Sequence, residues 1–289
     1  MRHPDLMTAW RMVVVGSAVM SAVLVSDVAR AEEGFRGSSE IKGITVAPVS
    51  VLPAAPASAK KRTDCEHLLV KPKTAAGKLV AAKGWAVTGE VQIGSYTAVS
   101  FVGRLEFVGS GTCMMTRGNI GIFNDKLLLG IAYTKQADDG LIGTVTQLDG
   151  GGARLHDGNL GAPVADLRLT DAGEFSLTSL AAFDSVCGGK AKVPNVFRSP
   201  IDKARKLILD AGWKPVPAKP ETDEGYENNL RKAGLTEAES CAGTGMGYCN
   251  FEYEGAAGKL SVTTTGDPDV EKGEFPTVLS YSVECGGTK

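Results

Sequence analysis

From Trp85 to Ile93 the chain alternates. Trp85, Val87, Gly89, Val91 and Ile93 fall on one side and Ala86, Thr88, Glu90 and Gln92 on the other, the two-residue period of a half-buried strand. The pattern repeats with Val99, Phe101, Gly103, Leu105 and Phe107 opposite Ser100, Arg104 and Glu106. Gly94-Ser95 between the two runs has the form of a tight hairpin turn. Two further turn signals, Asn124-Asp125 and Asp138-Asp139-Gly140, precede the apolar runs Leu127–Tyr133 and Leu141–Leu148, and short strands are predicted at Leu167–Leu169 and Phe175–Leu177. Closely spaced short strands of this kind predict an antiparallel sandwich or barrel over residues 63–189. Ala75 to Lys83 is the one helix candidate there.

After Gly188-Gly189 the period changes. Ser199-Pro200-Ile201-Asp202 reads as a helix start, with Ser as the cap and Pro at the first helical position. Ile201, Ala204, Leu207, Ile208 and Ala211 form an apolar stripe that ends at Gly212. A shorter helix is expected over Tyr226–Ala233, then strands at Tyr248–Tyr253, Lys259–Thr264 and Val278–Cys285. The order ααβββ predicts a small α+β module over residues 190–289. The fold class is thus mainly β plus α+β.

The first 31 residues are of another kind. Arg2, His3 and Arg11 precede the apolar run Met12–Val25, and Ala29-Arg30-Ala31 offers small residues for cleavage. This is the pattern of a secretory signal peptide, and the run is too short to span a bilayer. Residues 32–62, with few periodic positions and several Pro, Ala and Ser, are expected to form a flexible spacer. The alternative is that Ile44–Val46 and Val49–Val51 form a strand that docks on a sheet edge.

Export changes how the cysteines read. Cys65, Cys113, Cys187, Cys241, Cys249 and Cys285 form an even set in an oxidising compartment, which points to three disulfides out of 15 pairings. Cys65–Cys113, Cys187–Cys285 and Cys241–Cys249 is the set that closes each half on itself. No Cys-x-x-Cys occurs and only His67 and His156 remain after cleavage, so no metal or cofactor is expected.

Charge narrows the partners. The formal charge of -2 becomes -3 once the signal is removed, which leaves no basic surplus for nucleic acid. After cleavage no membrane span is expected. Glycine is abundant, with 36 residues, but Gly243-Thr244-Gly245-Met246-Gly247 lacks the Gly-Lys-Ser/Thr of a phosphate loop, and Asp267-Pro268-Asp269-Val270-Glu271 departs from a calcium loop at its next position, Lys272. Cys65 with His67 would serve as a nucleophile and base only if the thiol were unbridged. His156-Asp157 is expected in the glycine-rich loop Gly150–Gly161. No residue is assigned a catalytic role. Trp213, Glu221, Asp223, Glu224 and Glu227 are the candidate partner-binding residues, the acids continuing toward Glu237 and Glu239.

The stretch Gly212-Trp213-Lys214-Pro215, Cys241-Ala242-Gly243-Thr244-Gly245-Met246-Gly247-Tyr248-Cys249 and the final Cys285 resembles the C-terminal module of exported proteobacterial proteins of unassigned function. Its element order is similar, at fold level only, to β-lactamase-inhibitor-protein and outer-membrane-assembly lipoprotein modules. The resemblance implies a protein-binding role and transfers no site residue. The expectation is a periplasmic or secreted, non-enzymatic protein that binds an envelope or extracellular protein or glycan, as inhibitor or assembly factor. A carboxylate-based hydrolase acting on envelope glycan or ester is the alternative.

Overall fold

The computed structural model describes residues 34–62, 64–109, 112–136, 139–219, 225–243 and 245–286. Residues 1–31, where a signal peptide is expected, lie outside these residues. The first half of the chain forms ten strands, β1 (Gly37–Ser39), β2 (Ile44–Pro48), β3 (Ala86–Ile93), β4 (Tyr96–Gly109), β5 (Thr112–Asn124), β6 (Leu127–Thr134), β7 (Thr144–Gln147), β8 (Ala153–His156), β9 (Pro163–Leu169) and β10 (Phe175–Thr178). They make two five-stranded sheets, β2-β6-β5-β4-β3 and β1-β10-β9-β8-β7. Every pairing is antiparallel except β1 with β10. Val91, Ile93, Ile120 and Ile122 of one sheet pack against Val145, Leu155, Leu167 and Leu177 of the other. The arrangement is an open sandwich and not a closed barrel.

Residues 34–62 are not a spacer. β2 pairs with β6 over Ile44–Pro48, Phe35 stacks on Phe175 at 5.7 Å between ring centres, and Leu52 and Ala59 are buried. Ser58 donates to the Gly103 carbonyl at 2.7 Å and Trp85 to that of Pro53 at 2.9 Å. Proline breaks the local period but is compatible with an edge strand and with a segment lying across a sheet face. That segment and helix α1 (Ala75–Ala82), capped by the Thr74 hydroxyl, cover the outer face of the β3–β6 sheet, so β4 is buried on both faces over Thr97–Gly103.

The alternation predicted for β3 is broken midway. A register shift between Val87 and Gly89 sends Val87 to the α1 side with Phe101 and leaves Val91 and Ile93 in the inter-sheet core. Such a bulge inserts one residue and changes the face. Beside it, Thr88 donates to the Gly143 carbonyl at 2.7 Å, and Ser100, fully buried, accepts from Val145 N–H at 3.1 Å. These bonds pin the two sheets at one corner. Gly118 is required where the Ile142 backbone crosses β5, because a Cβ there would run into the Ile142 carbonyl.

The second half begins earlier than residue 190. The hairpin β11 (Phe183–Val186) and β12 (Ala191–Pro194) straddles that point and its Val193 belongs to the second core. Helix α2 (Ile201–Asp210), strand β13 (Lys214–Pro215), helix α3 (Tyr226–Lys232) and strands β14 (Ala238–Cys241), β15 (Cys249–Gly255), β16 (Gly258–Thr265) and β17 (Thr277–Cys285) follow. β13 and β14 add to the three expected strands, giving a five-stranded sheet. Ile201, Ala204 and Ile208 of α2 and Leu230 of α3 pack with Phe251, Tyr253, Leu260 and Val262. Leu207 is exposed, outside the buried stripe. The cap of α2 is Pro200 rather than Ser199, without a side-chain bond, because the Ser199 backbone is engaged with Val196 and Val278.

Candidate functional site

A cavity of about 340 Å³ opens where the sandwich meets the second module. Its walls come from β7 and β8, from the β11 hairpin and from the edge strand β17. At its floor Arg154 of β8 stands directly across from Asp166 of β9, an opposite-charge cross-strand pair. Arg154 Nε donates to Asp166 Oδ1 at 2.9 Å, and Nη2 to Asp166 Oδ2 at 3.2 Å and to Asp184 Oδ1 at 2.7 Å. Nη1 and the Tyr281 hydroxyl both donate to Asp184 Oδ2. Phe197 lies 5.7 Å from the guanidinium and stacks on Tyr281 at 4.8 Å.

Burial governs the charges. The side chains of Arg154, Asp166 and Asp184 are 8%, 1% and 14% exposed. Burial alone would raise the Asp184 carboxyl, but hydrogen bonds from Arg154 and Tyr281 and the guanidinium charge outweigh it and hold Asp184 below the usual carboxylate range. Arg154 is shifted up because its bonds to Asp184 and Asp166 outweigh its own desolvation. Tyr281 is raised by burial and by its bond to Asp184. The cluster therefore links β8 and β9 of the sandwich to β11 and β17 of the second module through paired side chains.

His156 ends β8 and is not in a glycine loop. Its Nδ1 lies 3.0 Å from the Gly161 carbonyl and its Nε2 2.9 Å from Thr146 Oγ1. A carbonyl only accepts, so Nδ1 carries the proton and the Thr146 hydroxyl donates to Nε2. Burial, then the nearby Arg154 charge, lowers the imidazole below its ordinary value against the Gly161 bond, so the ring is neutral at pH 7. Asp157 turns away from it, accepting the backbone N–H groups of Asn159, Leu160 and Gly161, each at 3.0 Å.

The residues singled out from the sequence lie elsewhere. Trp213 is 3% exposed and donates to the Lys192 carbonyl at 2.9 Å, so it is a core plug and not an exposed contact residue. Glu221, Asp223 and Glu224 lie outside the described residues, and Glu227 is half-buried in the first turn of α3. Glu237 does not belong to a solvated acidic face. It is fully buried, accepting from Arg205 at 2.7 Å and from the Tyr253 hydroxyl at 3.0 Å. The cysteines pair as Cys65–Cys113, Cys187–Cys285 and Cys241–Cys249, which removes the Cys65 thiol from any dyad with the exposed His67. In the glycine run, the Met246 carbonyl accepts from Gly266 N–H and from the Thr265 hydroxyl, both at 2.8 Å; it lies against the end of β16. Asp269 of the acidic loop caps its own turn through Glu271 N–H and pairs with Lys272.

Arg154, Asp166, Asp184 and Tyr281 were missed by sequence reasoning. The available signal was an arginine and an aspartate inside two apolar strand segments, Ala153–His156 and Pro163–Leu169. Among the described residues no His/Cys/Asp/Glu cluster suited to a metal is present, and no helix is long and apolar enough to cross a membrane. No protein family, curated protein or solved structure matches the chain.

Proposed function

We propose that this is a periplasmic or secreted, non-enzymatic binding protein whose junction cavity receives part of a cell-envelope macromolecule. The observation that carries the reading is how the ionisable groups of the cavity are used. A carboxylate hydrolase needs one acid that keeps its proton near neutral pH and a second free to act as base or nucleophile. Asp184 is instead held ionised, and Asp166 and Asp184 share one guanidinium. Apart from Gln147 and the exposed Asp149, what remains to face a ligand are hydroxyls and apolar side chains at a module boundary, a common setting for recognition. The signal-like N-terminus and the three bridges support an oxidising compartment.

The test compares residues 32–289, wild type and Ser282→Trp, for retention on purified cell-wall sacculi and on solubilised outer-membrane protein. Saturable retention on either fraction, weakened at least about tenfold by filling the cavity, is expected; equal retention of the two proteins would refute the assignment. A second reading, a hydrolase with a hydroxyl nucleophile in place of the carboxylate pair, draws on one arrangement, the Thr146 hydroxyl bonded to His156 Nε2, the geometry of a hydroxyl beside a base. It requires turnover of chromogenic esters that Thr146→Val abolishes and Thr146→Ser keeps.

A further inference from the structure

We infer that the junction cavity takes a neutral, polyhydroxylated ligand, a sugar unit of an envelope glycan. This rests on the cavity being the binding site, as proposed above, and adds the chemistry of what enters it.

Charge is the first argument. An anion would need Arg154, yet its Nε, Nη1 and Nη2 all donate to carboxylates and Phe197 lies over it. A cation would need Asp184, whose two oxygens already accept from Arg154 and Tyr281. Both inner charges are thereby committed chiefly to each other, and neither is presented alone to a ligand ion. Asp149, exposed at the rim, is the other charged residue of the lining.

The second argument is hydrogen-bonding capacity. Ser185, Ser280 and Ser282 line the cavity, and among the described residues their hydroxyls make no side-chain hydrogen bond. Each can both donate and accept, which is what a sugar hydroxyl also does. Thr146 has a fixed polarity: its proton goes to His156, so its oxygen presents lone pairs to a ligand O–H.

Shape is the third. Leu148, Pro163, Val186, Phe197 and Val283 supply apolar wall between the hydroxyls, matching the C–H faces of a sugar ring, whose polar groups lie at its edge. A volume of about 340 Å³ is at the small end of ligand sites and suits one or two rings, and the cavity's open side lets a polymer continue outward.

The experiment titrates residues 32–289 with maltose, cellobiose and chitobiose, and with glucose 6-phosphate and trilysine as charged probes, following backbone amide NMR shifts. Saturable binding of at least one disaccharide is expected, with Kd of about 1 mM or below. Shifts should centre on Thr146–Leu148 and Ser280–Val283, with less than about twofold change between roughly 50 and 500 mM salt. Thr146→Val should weaken it about tenfold, and Ser282→Trp should abolish it. Binding of only the charged probes, or of none of the disaccharides, overturns the sugar assignment. If retention on envelope fractions is still lost in Ser282→Trp, the cavity remains the binding site and only the ligand class fails; if it is not lost, the site itself fails.

Discussion

Replacing Arg154 with Met keeps most of the apolar volume of the side chain and removes its charge. Four hydrogen bonds to Asp166 and Asp184 go with it, leaving two carboxylates with 1% and 14% side-chain exposure. Removing one partner of such a buried cluster costs about 3–5 kcal/mol where a remaining charge is uncompensated; Asp166 Oδ2 keeps a 3.4 Å bond from Arg168, so Asp184 carries most of the loss. Both modules should register the loss, since Asp166 lies in the sandwich and Asp184 in the second module. In residues 32–289 the tryptophans are Trp85 and Trp213, one in each module, so urea unfolding of the oxidised protein followed by tryptophan fluorescence reads both. The pH dependence gives a second check. In the wild type the Asp184 pKa is depressed, so its contribution is complete above the ordinary carboxylate range and is lost as pH falls through the folded value. In Arg154→Met burial is no longer outweighed and Asp184 shifts up, so protonation relieves the variant as pH falls. The stability gap should therefore shrink to less than about half between pH 7 and pH 4. Arg154→Met/Asp184→Asn should recover at least about 1 kcal/mol by removing the stranded charge. A loss below about 1 kcal/mol at pH 7, or a gap that does not change with pH, would refute the claim that the cluster is desolvated and paired.

Other expectations follow from single contacts. Cys187→Ala/Cys285→Ala opens a 98-residue separation and Cys241→Ala/Cys249→Ala one of 8; loop-closure entropy assigns them about 4.7 and 2.5 kcal/mol, and the order of the two midpoints in denaturant checks this. Trp213→Ala should destabilise by about 3–5 kcal/mol while leaving envelope retention unchanged at temperatures where the variant is folded, which a thermal melt and the retention assay resolve together. Gly118→Ala should cost about 1–3 kcal/mol, seen as a lower thermal midpoint, because its Cβ meets the Ile142 carbonyl across the sheet corner.

Much of the local structure could be read from the chain. Alternation located β3 and β4, short apolar runs marked the end of β9 and β10, Gly94-Ser95 marked the first hairpin, and the apolar stripe located α2. Where reading failed, a tertiary contact had overridden a local rule. Residues 34–62 lack a period because Phe35 packs on the inter-sheet core while Leu52 packs on the outer face of the β3–β6 sheet, so they share no common face. The β3 alternation breaks because a bulge lets Thr88 reach the other sheet. Trp213 and Glu237 looked available to a partner because burial of a single Trp or Glu leaves no mark in its neighbours' spacing.

The sequence by itself determined the β-rich first half, the mixed second half and a set of six cysteines able to bridge. These depend on backbone propensity, side-chain period and parity, which act over a few residues or by simple count. The cavity was decided by tertiary structure alone. Arg154 meets Asp184 across 30 residues and Asp184 meets Tyr281 across 97, and whether three charges and a phenol satisfy one another depends on how two modules dock and exclude water. Desolvation strengthens such a cluster only after the docking that creates it, so its members carry no local signature beyond being charged residues in apolar strands.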